Sequence, residues 1–317
     1  MEHRELGRSG LKVPPIIFGC NVFGWTADQA MTFRLLDGCV ERGLVALDTA
    51  DVYSAWVPGH SGGESERLMG AWLKARPGVR DRVLIFTKCG IEMPGKGKGL
   101  SAAYIARAVE DSLARLGIER IDLYQSHRDD EVTPPEETLG AYQALMEAGK
   151  VRAIGASNFS PARLRASLEA SAKHGLPRYE SLQPHYNLME RGIEADLVPL
   201  CIEHGVGIIT YYALASGFLT GKYRSEADLS KSPRGARGMS KYLDARGMRV
   251  LAALDAVAAR HGATPGQVAL AWQLAKPGIT APIASATNPD QLAELAKAAE
   301  LRLAAEDVAA LDAASAA

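Results

Sequence analysis

The sequence predicts an α/β protein: a parallel (β/α)8 barrel of the TIM type, preceded by an N-terminal β-hairpin, with residues 1–317 forming one domain. Three observations carry that reading. Short runs rich in Val, Ile and Leu recur near residues 16–19, 44–48, 83–87, 121–125, 151–155, 179–183, 206–211 and 279–284. Such runs, without polar alternation, are what a strand buried on both faces leaves in a sequence. Amphipathic stretches of helical period separate them, and glycines follow several of these, as a left-handed helix cap requires. The rival architecture, an open doubly wound sheet, carries a Gly-rich phosphate turn after its first strand, whereas Gly19-Cys20-Asn21 is not G-x-G-x-x-G.

Each element follows in order. Residues 3–15 read HRELGRSGLKVPP, and Gly7 with Ser9-Gly10 separates two short segments, which predicts a hairpin covering one end of the core. Helices are expected at 30–42, 101–116, 135–148, 160–173 and 191–204, stopped by Gly43, Gly117, Gly149, Gly175 and Gly205. After the seventh strand comes KYRSEADLSKSPRGARGMS, residues 222–240, too long for an idle connector and expected to act on a ligand. No linker rich in Pro, Gly or Ser divides the chain.

Composition narrows the function classes. At 317 residues and 47% hydrophobic content the chain can bury a large core. The balance of 36 basic against 37 acidic residues, net -1, offers no global field for nucleic acid or an anionic membrane. A small molecule is the expected partner. Cys20, Cys39, Cys89 and Cys201 show no CxxC spacing, so free thiols in a reducing compartment are expected. The seven histidines form no HxH or HxxxH pair, which speaks against a metal site. The start MEHRELGRSG has no apolar signal core and no run of 18 apolar residues occurs, so a cytoplasmic protein is expected.

Asp48, Tyr53, Lys88 and His127 stand just past three successive apolar runs, LVALDTADVY, VLIFTK and RIDLYQSH. In a barrel, residues past the strands gather on the carboxyl face. A phenol beside an ammonium, a carboxylate and an imidazole makes a proton-donating site. Tyr53 is the group able to give a proton to a carbonyl oxygen, but a phenol near its reference pKa of about 10 holds that proton tightly. A neighbouring Lys88 ammonium would lower the pKa, Asp48 would hold the lysine charged, and His127 would position the oxygen.

The segments RELGRSGLKV, DTADVYSAWVPGHSGGESERLMG, FTKCG, DLYQSHRDD, KVRAIGASNFS, QPHYNLMER and LASGFLTGKY occur in the order of the aldo-keto reductases. Over nearly its whole length the chain resembles that family, in particular bacterial members related to the potassium channel β-subunit type. The resemblance implies an NAD(P)H-dependent oxidoreductase that reduces an aldehyde or ketone, with Asp48, Tyr53, Lys88 and His127 as the catalytic tetrad and Tyr53 as proton donor. It assigns to the cofactor Gly19 and Asn21, then Ser157, Asn158 and Gln183 around the nicotinamide amide, with Tyr211 stacked on the ring. Leu214, Ser216, Gly217 and Lys222 correspond to positions around the pyrophosphate, joined by Arg234 or Arg237. Ser285, Thr287, Gln291 and Glu294 correspond to the adenosine end. Trp25, Trp56 and Met93 are expected as substrate walls around an open pocket for a small carbonyl compound.

Two departures from the family pattern bear on the cofactor. Tyr211-Tyr212-Ala213-Leu214 stands where the family usually reads Tyr-Ser-Pro-Leu. The lysine and arginine that many members place at the adenosine end are absent, and Leu295 replaces a frequent asparagine. NADPH is expected, with NADH the alternative, and selectivity for the 2′-phosphate then rests on Lys222, Arg234 or Arg237. The competing function is a nicotinamide-sensing binding subunit with slow catalysis.

Overall fold

A computed structural model describes residues 1–231 and 239–316. Arg234 and Arg237 therefore lie outside the described residues. At the N-terminus β1 (Arg4–Glu5) and β2 (Lys12–Val13) form a small antiparallel ladder. The chain then alternates β3 (Ile17–Gly19), α1 (Gln29–Glu41), β4 (Ala46–Asp48), α2 (Glu64–Ala75), β5 (Leu84–Cys89), α3 (Ala102–Leu116), β6 (Ile121–Ser126) and α4 (Pro135–Glu147). It continues with β7 (Val151–Ser157), α5 (Pro161–His174), β8 (Ser181–Gln183), α6 (Leu197–His204), β9 (Gly207–Thr210), α7 (Ala245–His261), α8 (Pro265–Ala275), β10 (Ile279–Ala284), α9 (Pro289–Glu300) and α10 (Ala305–Ser315). Strands β3 to β10 pair in sequence order, all parallel, and β10 closes onto β3. Among the described residues, no helix is long and apolar enough to cross a membrane.

The helices begin where side chains satisfy the first free amides. Asp28, Ser101, Ser160, Asp244 and Asn288 each accept from a first-turn N–H, and Thr264 forms a reciprocal capping box with Gln267. One boundary departs from expectation. The helix expected from residue 191 begins at Leu197, after a 3-10 turn at Gly192–Glu194. Arg191 pairs with Glu194 and reaches the Asp312 carbonyl and Ser315 hydroxyl of α10, so this stretch is tied to another helix before Asp196 caps α6.

Period two along the strands divides the barrel interior into an apolar floor and a polar top. Ile17, Ala46, Phe86 and Leu123 pack together inside with Ala153, Ile209, Ala281 and Ile283. Two residues further along the same strands stand Gly19, Asp48, Lys88 and Gln125. Leu6, Leu11 and Val13 of the hairpin join the apolar floor, and Arg4 bonds the carbonyls of Leu274, Ile279 and Thr280. The hairpin closes the floor, as its sequence predicts, and the carboxyl end carries the polar groups. All four cysteines are buried and unpaired.

Candidate active site

Register brings the polar ends of neighbouring strands level: Gly19 lies opposite Asp48, Lys88 opposite Gln125, and Ser157 opposite Gln183. Lys88 is wholly buried, and its ammonium has three protons for three acceptors. It donates to Asp48 Oδ2 at 2.6 Å, to the Thr49 carbonyl at 2.7 Å and to the Tyr53 hydroxyl at 3.1 Å. Asp48 Oδ1 accepts from Nε2 of both Gln125 and Gln183, each at 3.1 Å. Because Tyr53 receives from lysine, its own proton is left to the cavity side.

The electrostatics depart from the simplest expectation. Burial pushes the Tyr53 phenol up to about 12, against the pull of the Lys88 charge. Lysine lowers the phenol relative to what burial alone would give, but does not bring it below its ordinary value. Lys88 is itself held above its ordinary value: burial disfavours the charge, but Asp48 and Tyr53 outweigh it. The phenol is therefore an acid that stays protonated throughout the neutral range.

His127 is also buried, with its ring edge-on to Tyr53 at 5.8 Å between centroids. Burial, then the charges of Lys88 and Arg128, hold its pKa well below the usual imidazole value, so the ring is neutral. Its Nδ1 is buried with no hydrogen-bond partner among the described residues. A buried N–H left unpaired is costly, which favours the lone pair on Nδ1 and the proton on Nε2, the nitrogen left to face the cavity. Asn158 buttresses this end: its Nδ2 donates to the His127 carbonyl and to Ser157 Oγ, and its Oδ1 accepts from Tyr211 at 2.7 Å.

A cavity of about 1190 Å³ runs from Asp48, Tyr53 and His127 to Glu294 and Leu295. Gly19, Asn21, Ser157, Asn158, Gln183, Tyr211, Leu214, Ser216, Gly217, Lys222, Ser285, Thr287 and Gln291 border it between those ends, with Trp25 and Trp56 also in the wall. Lys88 lies just behind Tyr53. Trp25 and Trp56 meet edge to face at 5.7 Å. Met93 is a correction. It is only 4% exposed and does not reach this cavity, because its loop folds back on Gly97 and its sulfur covers Gly62. Ile91 borders the cavity instead.

The walls suit an extended dinucleotide. A Cβ on Gly19 would lie 2.7 Å from Ser285 Oγ, so only glycine allows this close approach of strand and loop. Tyr211 is fixed through Asn158 and stacked on His185 at 5.2 Å, with its ring at the cavity wall. Asn158, Tyr212 and Ser216, which also line it, have φ of 57°, 53° and 56° without being glycine. Backbone strain of this kind collects where a ligand is held. Tyr212, standing where the family usually has serine, is 54% exposed and packs edge-on against His185 and Tyr211.

Sequence reasoning missed Gln125, which bonds Asp48 and is bonded by Gln183. Its signal was a glutamine within the otherwise buried run of β6. Thr49 contributes through its carbonyl, which no side-chain pattern announces. No group of His, Cys, Asp or Glu able to hold a metal ion occurs among the described residues.

Comparison with known proteins supplies an independent line. The family model described as Aldo/keto reductase family matches residues 15–316. An uncharacterized oxidoreductase, YrpG, of Bacillus subtilis (strain 168) is 33% identical over 96% of this chain and 92% of its own length. An L-glyceraldehyde 3-phosphate reductase of Escherichia coli (strain K12) is 32% identical over 93% of this chain and 86% of its own length. A probable voltage-gated potassium channel subunit beta of Arabidopsis thaliana is 33% identical over 95% and 92% respectively.

Proposed function

The chain belongs to the aldo/keto reductase family, and on that premise we propose that it reduces an aldehyde or ketone to an alcohol with a nicotinamide cofactor, Tyr53 giving the proton. A reduced nicotinamide, when bound, supplies the hydride that attacks the carbonyl carbon. The remaining work falls to the chain. Tyr53 donates its proton to the carbonyl oxygen as negative charge develops there, and the Lys88 ammonium stabilises the phenolate left behind. The Nε2–H of neutral His127 donates to the same oxygen and aligns it. Asp48, held by Gln125 and Gln183, keeps Lys88 charged and aimed. Trp25, Trp56 and Ile91 provide apolar walls suited to a small organic carbonyl compound.

The observation that carries this reading is the full use of the three lysine protons, which makes the Tyr53 oxygen an acceptor toward Lys88 and leaves its proton to the cavity. The plant relative is named as a probable channel subunit, which supports a cofactor-binding subunit with slow catalysis as the second reading. Following reduced-nicotinamide absorbance with a panel of simple aldehydes separates the two. Steady oxidation over many turnovers is expected, whereas tight binding without turnover would favour the sensing subunit.

A further inference from the structure

We infer that the carbonyl compounds this site takes carry an anionic group, a carboxylate or a phosphate, a few bonds from the carbonyl, and that Arg128 holds that group; the inference rests on the reductase reading above. Arg128 follows His127 directly at the end of β6, is exposed, and borders the same cavity as Tyr53, Trp25 and Trp56. Successive Cα atoms stand about 3.8 Å apart, so a group on Arg128 meets the same small molecule whose oxygen His127 aligns. The guanidinium also bears on both neighbouring rings. Burial, then the charges of Lys88 and Arg128, hold His127 down, and burial with Tyr212 raises Tyr211 against the pull of Arg128.

The segment around Arg128 is held from several sides, and its own acids are committed elsewhere. The His127 amide donates to the Cys89 carbonyl at 2.8 Å, and the His127 carbonyl accepts from Asn158 at 3.0 Å. Asp129 Oδ1 accepts from Arg163 Nε at 2.8 Å. Asp130 Oδ2 accepts from the Leu100 amide at 2.7 Å and the Thr133 hydroxyl at 2.6 Å, while its Oδ1 accepts from the Thr133 amide at 2.9 Å. Asp48, a carboxylate that also borders the cavity, is paired with Lys88. The two acids that follow Arg128 in the chain thus anchor the loop, and the cation they could have neutralised is left at the cavity wall.

A guanidinium on an anchored loop is suited to recognising an anion, because its planar fork meets a carboxylate or a phosphate with two parallel hydrogen bonds. Trp25, Trp56 and Ile91 supply the apolar part of the wall for the carbon skeleton. A short aldehyde with an anion at its far end would then be held at two points, the carbonyl oxygen by Tyr53 and His127 and the anion by Arg128. Holding both ends fixes the direction in which the carbonyl faces the proton donor.

Two pairs of aldehydes test this in the full-length protein, by kcat/KM from reduced-nicotinamide absorbance: succinic semialdehyde against butanal for a carboxylate, and glycolaldehyde phosphate against glycolaldehyde for a phosphate. The anionic member of at least one pair should be favoured by about tenfold or more, as a charge-assisted contact gives, and the pair with the larger ratio identifies the anion. That ratio should shrink as salt is raised. Arg128→Met should lower kcat/KM for the favoured anion about tenfold more than for its neutral counterpart, mainly through KM, and Arg128→Lys should keep part of the preference because it keeps the charge without the fork. A preference that survives Arg128→Met, or a variant whose loss is matched by an equal loss of cofactor affinity, overturns the assignment to Arg128. Reduction of all four aldehydes without preference overturns the proposal and leaves the reductase reading intact. Reduction of none of them overturns that reading and the proposal with it.

Discussion

Lys88 shows how much of the site depends on single residues, since one buried ammonium satisfies a carboxylate, a carbonyl and a phenol at once. Lys88→Met removes the charge and leaves Asp48 buried with neutral partners alone, so stability should fall by about 3–5 kcal/mol in denaturant unfolding, and reduction should slow with cofactor affinity nearly retained. The raised Tyr53 phenol gives a pH prediction. Its acid form persists through the alkaline range, so the rate of reduction should show no phenol-controlled decline up to about pH 10; a decline centred below that value contradicts the burial argument. His127 gives the opposite limb. Its folded pKa lies below the unfolded value, so the unfolded chain takes up the proton first, and stability is complete above about pH 6.5 and is lost as pH falls through it, with a slope of at most about 1.4 kcal/mol per pH unit. His127→Gln should flatten that slope in thermal unfolding measured against pH.

At the scale of elements, the apolar runs marked all eight barrel strands to within a few residues, because a strand buried on both faces has little choice of residue. Helix contacts were less legible. Gly70 reads in the sequence as an ordinary helix glycine, yet a Cβ there would lie 2.3 Å from the Arg115 carbonyl, where α2 crosses the end of α3. Gly70→Ala should force the helices apart and cost about 1–3 kcal/mol or more. Gly140, in the middle of α4, has nothing within 4 Å of the same position, and Gly140→Ala should instead add about 0.5–1 kcal/mol. Matched unfolding curves of the two variants test this: equal effects would mean that the α2–α3 approach is not tight. The start of α6 and the burial of Met93 were equally hidden, for both are set by partners remote in sequence, the first by α10 and the second by Gly62.

For the whole molecule, the regular alternation of strand and helix made the closed barrel legible, and closure follows once β10 meets β3. It also made legible that Asp48, Tyr53, Lys88 and His127 converge, because residues past parallel strands share one rim. Gln125 and the Thr49 carbonyl were not, since a buried amide and a backbone oxygen acquire meaning only when a neighbouring strand supplies their partner. Lys88 pulls the phenol down as expected, but the net rise of the phenol was not legible, because the burial that outweighs this pull is a property of the assembled barrel rather than of any motif. The central claim is that this assembled rim turns Tyr53 into the proton donor of carbonyl reduction. Tyr53→Phe keeps the ring and removes the proton, and the decisive measurement is its turnover of an aldehyde accepted by the wild type, alongside its cofactor dissociation constant. A drop of about 10²- to 10⁴-fold in turnover with cofactor binding retained is predicted; turnover at the wild-type rate would contradict the account.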